Sequence, residues 1–208
     1  MQMTEKGWGF LCEKSRESRK KILADYAKKY VEPVLEKYPE MKGKVYLVLR
    51  KQGFFAEYDP VYHIVAPEKP LTTYGKNLLL AITAHEFGHL IQYERKIGEK
   101  EQDLVLELHA TLLSWKRGFA LNYLLSFQEN CEKERCDHSE KHCYFGCDYF
   151  FGGNCRQCTD VELKRKAAIL ENIARDYEDI DKLDVKTVRS EIRRLLREEK
   201  IADRKTES

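Results

Sequence analysis

The sequence has no apolar segment long enough to cross a lipid bilayer. Its longest apolar runs, Leu78 to Ala84 and Phe119 to Leu125, fall far short of the roughly 20 residues that a membrane-spanning helix needs. Residues 1–15 also lack a basic segment followed by an apolar stretch, which is the pattern of a secretory signal. These absences predict a cytoplasmic protein that does not associate with a membrane.

The sequence also lacks an excess of charge of either sign. Its 37 basic residues are almost balanced by 35 acidic ones, which gives a net charge of +2. A surface dedicated to nucleic acid would need a strong local excess of positive charge. We therefore expect no nucleic-acid partner.

Proline is scarce and unevenly placed, since all five prolines lie at or before Pro70. The chain after Pro70 has the apolar spacing of helices almost throughout. Before it, one helix is predicted over residues 15–38, with a kink at Pro33. Three strands are predicted from their β-branched and aromatic residues: Lys44 to Arg50, Phe54 to Tyr58 and Val61 to Ala66.

Four helices are predicted after the strands, and their ends carry recognisable signals. The first starts near Thr73 and ends before Gly98, a typical residue at a helix C-terminus. Thr159 and Glu162 form a capping box at the start of the third. The predicted ranges are 73–97, 103–127, 160–177 and 185–201. The fold class is therefore α+β, divided into residues 1–127, a cysteine-rich insert over 128–159 and a helical hairpin over 160–208.

The most informative motif is His85-Glu86-Phe87-Gly88-His89, an H-E-x-x-H element in the first of these helices. Two histidines four residues apart lie on one helix face, so both imidazoles can bind one metal ion. Glu86 can then take a proton from a water molecule that the metal activates. The motif predicts a zinc site with a glutamate as general base.

A catalytic zinc site commonly has three protein ligands, and the next helix offers Glu107 and His109 as the third. The two residues lie on different helix faces. Glu107 shares its face with small residues that let another helix approach closely: Ala110, Thr111, Ser114 and Gly118. The residues that share the helix face of His109 predict that it lies at the edge of the protein surface and not at a contact between helices. We therefore predict Glu107 as the ligand and keep His109 as the alternative.

The segment HEFGH, followed after 17 residues (90–106) by Glu107-Leu108-His109-Ala110, resembles the HExxH…ExxA arrangement of gluzincin-type metallopeptidases. It is similar to that of HtpX-like and CaaX-protease-type enzymes, of the ImmA/IrrE-like family and of the minigluzincins. The HtpX-like enzymes have membrane helices, which this chain lacks, and an aspartate where this chain has Thr111. A minigluzincin or ImmA-like relative fits better. The resemblance covers roughly residues 44–120.

The resemblance implies a zincin-like catalytic domain over residues 1–127. It implies a catalytic zinc ion bound by His85, His89 and Glu107, with Glu86 as general base and acid. It also implies that an edge strand, either Val61 to Val65 or Phe54 to Tyr58, binds extended peptide substrate by backbone pairing. The candidate hydrogen-bond donors to a transition-state oxyanion are Tyr62, His63, Tyr74 and Tyr93.

The insert contains six of the seven cysteines, and Cys12 stands alone. Cys155 and Cys158 form a C-x-x-C pair, and Cys131 with Cys136 could complete a four-thiolate structural zinc site. Cys143 and Cys147, with a nearby histidine, would remain for a second site. Disulfides or an iron–sulfur cluster are the alternatives.

Together these features predict a zinc-dependent peptidase that acts on a peptide or protein substrate. The hypothesis from another functional class is an ImmA-like or inactive zincin that serves as a regulatory, protein-binding module. The insert and the C-terminal helices would then provide the recognition surface. Cleavage of a substrate by the zinc-loaded protein distinguishes the two hypotheses.

Overall fold

A computed structural model describes most of the chain, in ranges separated by short gaps and one long gap. They are 2–10, 17–50, 53–58, 61–67, 71, 73–97, 103–132, 158–177, 179 and 183–206. The fold is α+β, as predicted, and the chain divides into two compact units, Met1–Gln102 and Asp103–Ser208. Residues 133–157 of the insert lie outside the described residues, so the insert and the predicted domain limits stay predictions.

The first unit contains a mixed five-stranded sheet in the order β1-β2-β3-β5-β4. The β2–β3 and β3–β5 pairs are parallel, whereas β1–β2 and β4–β5 are antiparallel. The strands are β1 (Gln2–Met3), β2 (Trp8–Phe10), β3 (Val45–Arg50), β4 (Phe55–Tyr58) and β5 (Tyr62–Pro67). The three predicted strands are confirmed to within a residue at each end, and β1 and β2 were not predicted.

The order of the strands shows which of the two segments predicted as the substrate-binding edge strand lies at an edge of the sheet. Strand β4 pairs only with β5 among the described residues, and it ends the sheet. Strand β5 lies between β3 and β4, and its residues His63 to Ala66 are buried. Of the two segments considered, Phe54 to Tyr58 therefore contains an edge strand and Val61 to Val65 does not, whereas the binding of a substrate strand stays a prediction.

The predicted N-terminal helix changes its winding before Pro33. It comprises α1 (Glu17–Tyr26), a wider π-helical turn (Ala27–Val31) and α2 (Glu32–Lys37). The N–H of Glu32 donates to the carbonyl of Ala27, five residues back. Proline has no N–H to donate and its ring disturbs the preceding turn, which accounts for the irregularity that the sequence predicted here.

The histidine-bearing helix α3 runs from Lys76 to Glu94, shorter at both ends than predicted. Gly75, and not Thr73, is its N-cap residue, with no side-chain cap. At the other end, Lys96 has a φ of 54°. Two hydrogen bonds, from Ile97 N–H to Gln92 O at 2.9 Å and from Lys96 N–H to Tyr93 O at 3.1 Å, complete a Schellman motif. Lys96 therefore has the role that the sequence assigned to Gly98.

The second unit is helical in its described part, and the predicted helix over 103–127 is broken at Gly118. Helix α4 (Asp103–Ser114) leads through a turn (Trp115–Phe119) into α5 (Ala120–Glu132). Gly118 has φ 90° and ψ 18°, and a Cβ there would meet no other atom within 4 Å. Its left-handed backbone, and not crowding, favours glycine. The stripe of small residues on α4 consequently ends at Ser114.

The last two helices are α6 (Asp160–Asp176) and α7 (Val185–Thr206). The predicted capping box is confirmed: Glu162 N–H donates to Thr159 Oγ1 at 3.3 Å, and Thr159 N–H donates to Glu162 Oε2 at 2.5 Å. Helix α6 packs against α5 and α7 within the unit. None of the described helices is long and apolar enough to cross a membrane.

We predict that Lys96→Gly stabilises the first unit. The left-handed conformation costs a non-glycine residue roughly 1–2 kcal/mol, and glycine adopts it freely. The free energy of unfolding should rise by about 1 kcal/mol in urea titrations, because the gain exceeds the extra chain entropy of glycine. Lys42→Gly is the matched control, since exposed Lys42 has an ordinary φ of −60° and gains nothing. If both variants lose stability, the backbone of Lys96 is not strained.

Candidate metal centre

The two motif histidines meet at their ring nitrogens. His85 Nε2 and His89 Nε2 are 3.1 Å apart, and the rings cross edge to face at 89° with centroids 4.7 Å apart. Both side chains are half-buried. Residues four apart on a helix lie one turn above each other, which brings these rings together. The two Nε2 atoms can therefore face one bound ion.

Two buried tyrosines fix helix α3 on the N-terminal side of the histidines. Tyr38 Oη donates to the carbonyl of Ala84 at 3.0 Å. Thr83 Oγ1 donates to Leu79 O at 2.6 Å, so it accepts the 2.7 Å hydrogen bond from Tyr26. Because Ala84 directly precedes His85, these contacts set the height and the rotation of the motif relative to α1 and α2.

Glu86 is buried beside the histidines, with 7% of its surface exposed. Its negative charge acts on two tyrosines of the same unit. Burial first, and then the Glu86 and Glu57 charges, raise the pKa of Tyr93. Burial also raises the pKa of Tyr26, opposed by the hydrogen bond with Thr83 and supported by the Glu86 charge. Both phenols therefore stay protonated near neutral pH.

Gln92 is a site residue that the sequence reasoning missed. Its Oε1 lies 2.8 Å from His89 Nδ1, and only 4% of the residue is exposed. A residue three positions after a histidine on a helix can reach back to its ring. The spacing could have identified Gln92, because a glutamine at position i+3 can offer its amide oxygen to the Nδ1 atom of the histidine.

In the second unit, α4 carries both candidates for the third ligand. Glu107 is half-buried, and its carbonyl accepts a hydrogen bond from Thr111 Oγ1 at 3.0 Å. His109 is 1% exposed, so the predicted surface position of His109 is wrong. The long apolar stretch of α4 buries nearly every side from Leu108 to Ser114, and residue spacing could not identify an exposed margin.

Among the described residues, one group of side chains has the composition and spacing of a metal site. A ring nitrogen of His85, a ring nitrogen of His89 and a carboxylate oxygen of Glu107 all lie within 4.8 Å of one another. Ligand atoms about 2.0–2.2 Å from a tetrahedral zinc ion lie roughly 3.3–3.6 Å apart. The three side chains therefore fit zinc with small adjustments.

The candidate oxyanion donors have different surroundings. Tyr62 donates to Glu94, and burial and this bond raise its pKa to about 12. His63 Nδ1 lies 3.3 Å from Glu57 Oε1. Because Tyr62 faces α3, its neighbour His63 points to the other face of the sheet. Tyr74 is stacked against Phe54 with a ring distance of 6.5 Å.

Tyr93 is the candidate whose position relates to both the motif and the edge strand. It follows His89 by four residues on α3, and so it lies one turn further along the same helix face. Its hydroxyl is 3.4 Å from the carbonyl of Ala56 in β4, and 45% of the residue is exposed. The phenol is thus accessible, and its existing hydrogen bond is long.

The structure leaves the predicted cysteine site untested. Cys136 and Cys155 lie outside the described residues, and Cys131 belongs to the last turn of α5. Cys158 is a half-buried free thiol with Lys166 Nζ 2.8 Å from its Sγ. A structural zinc ion in the insert stays a prediction.

No family model, curated protein or solved structure matches the chain. The likeness to gluzincins accordingly depends on the motif residues. What the described residues provide is a histidine pair, a nearby carboxylate, a buried glutamate and an accessible phenol. This combination suits hydrolysis assisted by a metal ion.

Proposed function

We propose that the chain is a zinc-dependent peptidase of the gluzincin type, with a zincin-like catalytic fold. Its zinc ion would be held by His85, His89 and Glu107. The observation that carries the proposal is the convergence of their ligand atoms within 4.8 Å of one another. Chance matches to H-E-x-x-H are common, but a chance match would have no reason to lie beside a third ligand from a second helix.

The type of ligand supports a catalytic role. Two imidazoles and one glutamate are a ligand set of zinc peptidases, and they leave a fourth position open. A bound zinc ion would supply Lewis acidity, which acidifies a water molecule and polarises a carbonyl oxygen. The four-thiolate set predicted for the cysteines would instead fill every position of a second, structural zinc ion.

Glu86 would act first as the general base and then as the general acid of the reaction. Its carboxylate accepts a proton from the attacking water while the water oxygen bonds to the peptide carbon. It then passes this proton to the departing amine nitrogen as the carbon–nitrogen bond breaks. Because Glu86 is on the same helical turn as its histidine neighbours and is buried, its position is fixed before substrate binds.

Tyr93 would stabilise the negative charge that develops on the carbonyl oxygen. Its raised pKa keeps the hydroxyl protonated, as a donor must be. It lies on the helix face of the histidines, and its hydroxyl reaches the edge strand at Ala56. A substrate strand pairing with β4 would therefore pass close to this phenol.

We predict that Glu107→Gln and His109→Gln separate the two ligand candidates. Loss of the carboxylate charge at Glu107 should weaken zinc binding more than about a hundredfold, since even residues that only support a ligand cost 10–100-fold. His109→Gln should keep the affinity within a few fold. The measurement is competition with a chromophoric chelator, on variants whose circular dichroism matches the wild type. The reverse pattern would make His109 the ligand.

We predict that Glu86→Gln keeps zinc and loses cleavage. The amide has the shape of the carboxylate but cannot take a proton from water, so cleavage of casein should fall at least about a hundredfold. Zinc content should stay at the wild-type value. Cleavage at the wild-type rate by this variant would refute the mechanism. If the zinc-loaded wild type cleaves no unfolded protein, the protein-binding alternative is favoured.

We predict that Tyr93→Phe lowers kcat by about 10²–10³-fold without changing zinc affinity, because one oxyanion donor is lost. Tyr62→Phe is the matched control, because the hydroxyl of Tyr62, on strand β5, already donates to Glu94. It should retain kcat within a few fold. Equal rates for the Tyr93 variant and the wild type would remove Tyr93 from the mechanism.

A further inference from the structure

We infer that Gln92 is a positioning residue that sets the tautomer of His89 and so prepares it to bind the metal. This inference rests on the proposed function, because it assigns a role around the proposed zinc ligand His89. It concerns a glutamine outside the H-E-x-x-H and E-x-x-A motifs.

The geometry identifies which ring nitrogen each neighbour uses. The Nδ1 atom of His89 is 2.8 Å from Gln92 Oε1, and its Nε2 atom is 3.1 Å from His85 Nε2. An amide oxygen only accepts hydrogen bonds, so it selects the neutral imidazole with the proton on Nδ1. That tautomer leaves the lone pair of Nε2 directed at the point where the two histidines converge.

The opposite tautomer would work against metal binding. With the proton on Nε2, His89 would direct an N–H at His85, and the nitrogen on the metal side would have no lone pair to donate. With the Gln92 amide oriented as it is, its Oε1 towards the ring, this state is disfavoured, because the oxygen would then face the lone pair of Nδ1. The contact therefore acts on the chemistry of the ligand as well as on the ring's orientation.

Gln92 is itself held in place before any metal binds. Its backbone carbonyl accepts the Ile97 N–H at 2.9 Å in the Schellman motif that ends α3. The residue is 4% exposed, so its side chain has little freedom to leave the histidine. A ring held by a fixed partner loses less entropy on binding a metal. Removal of the partner should therefore weaken zinc binding while the ligands remain.

The test compares Gln92→Leu with Gln92→Glu. Leucine has similar bulk but no acceptor, whereas glutamate keeps an oxygen for Nδ1–H. Nitrogen-15 NMR of the metal-free protein reads the tautomer of His89, with the signal assigned through a His89→Gln spectrum. Competition with a chromophoric chelator gives the zinc Kd of each protein.

We expect Gln92→Leu to raise the share of the tautomer protonated on Nε2 and to weaken zinc binding about 10–100-fold. Gln92→Glu should keep the Nδ1 proton and bind zinc at least as tightly as the wild type. An unchanged tautomer and Kd in Gln92→Leu would overturn the inference. If Gln92→Leu does not fold, a loss of affinity in folded Gln92→Glu equally overturns it.

These readouts separate the inference from the proposed function. If the wild type binds zinc but cleaves nothing, the peptidase proposal fails while the tautomer and the Kd still test Gln92. If the wild type binds no zinc, the zinc site fails, and the NMR signal alone shows whether Gln92 sets the tautomer. An effect on stability without a change in tautomer would indicate a structural role only and would overturn the inference.

Discussion

One turn of helix α3 is the constraint on which the candidate site depends. It sets the separation of His85 and His89, whose Nε2 atoms lie 3.1 Å apart, and it carries Glu86 between them in sequence. The direction in which these side chains point depends, in addition, on how the helix is rotated about its axis. The bonds of Tyr38 to Ala84 and of Tyr26 to Thr83 fix that rotation, because each joins α3 to the N-terminal helices through a buried contact.

The sequence predicted those parts of the fold that depend on neighbouring residues. The β3, β4 and β5 strands, the histidine helix and the Thr159 capping box all follow from local spacing and local hydrogen bonds. The parts that it missed depend on backbone conformation. Lys96 adopts a left-handed conformation in which glycine is usual, and Gly118 interrupts an otherwise helical pattern. The residue type alone predicts neither of these two backbone conformations.

The prediction of the candidate site divides in the same way. The motif itself identifies the histidine pair and Glu86, because helix geometry converts a spacing of four into a shared face. It could not show that His109 is buried, since α4 is apolar on several sides. It also could not rank the tyrosines. That ranking needed the pairing of β4 with β5 and the reach of Tyr93 to Ala56, which are tertiary facts.

Helix α3 also places its buried polar side chains where the proposed chemistry needs them. Most of its buried residues are apolar, and Thr83, Glu86 and Gln92 are the buried polar exceptions. Thr83 is bonded to Tyr26, and Gln92 to His89, so the desolvation cost of both is offset within the unit. Glu86 is the charged member of the three, and a nearby cation lowers the cost of burying a carboxylate charge. A metal ion held by the adjacent histidines would provide that charge. The same ion that the proposed reaction requires would thus reduce the cost of burying its general base.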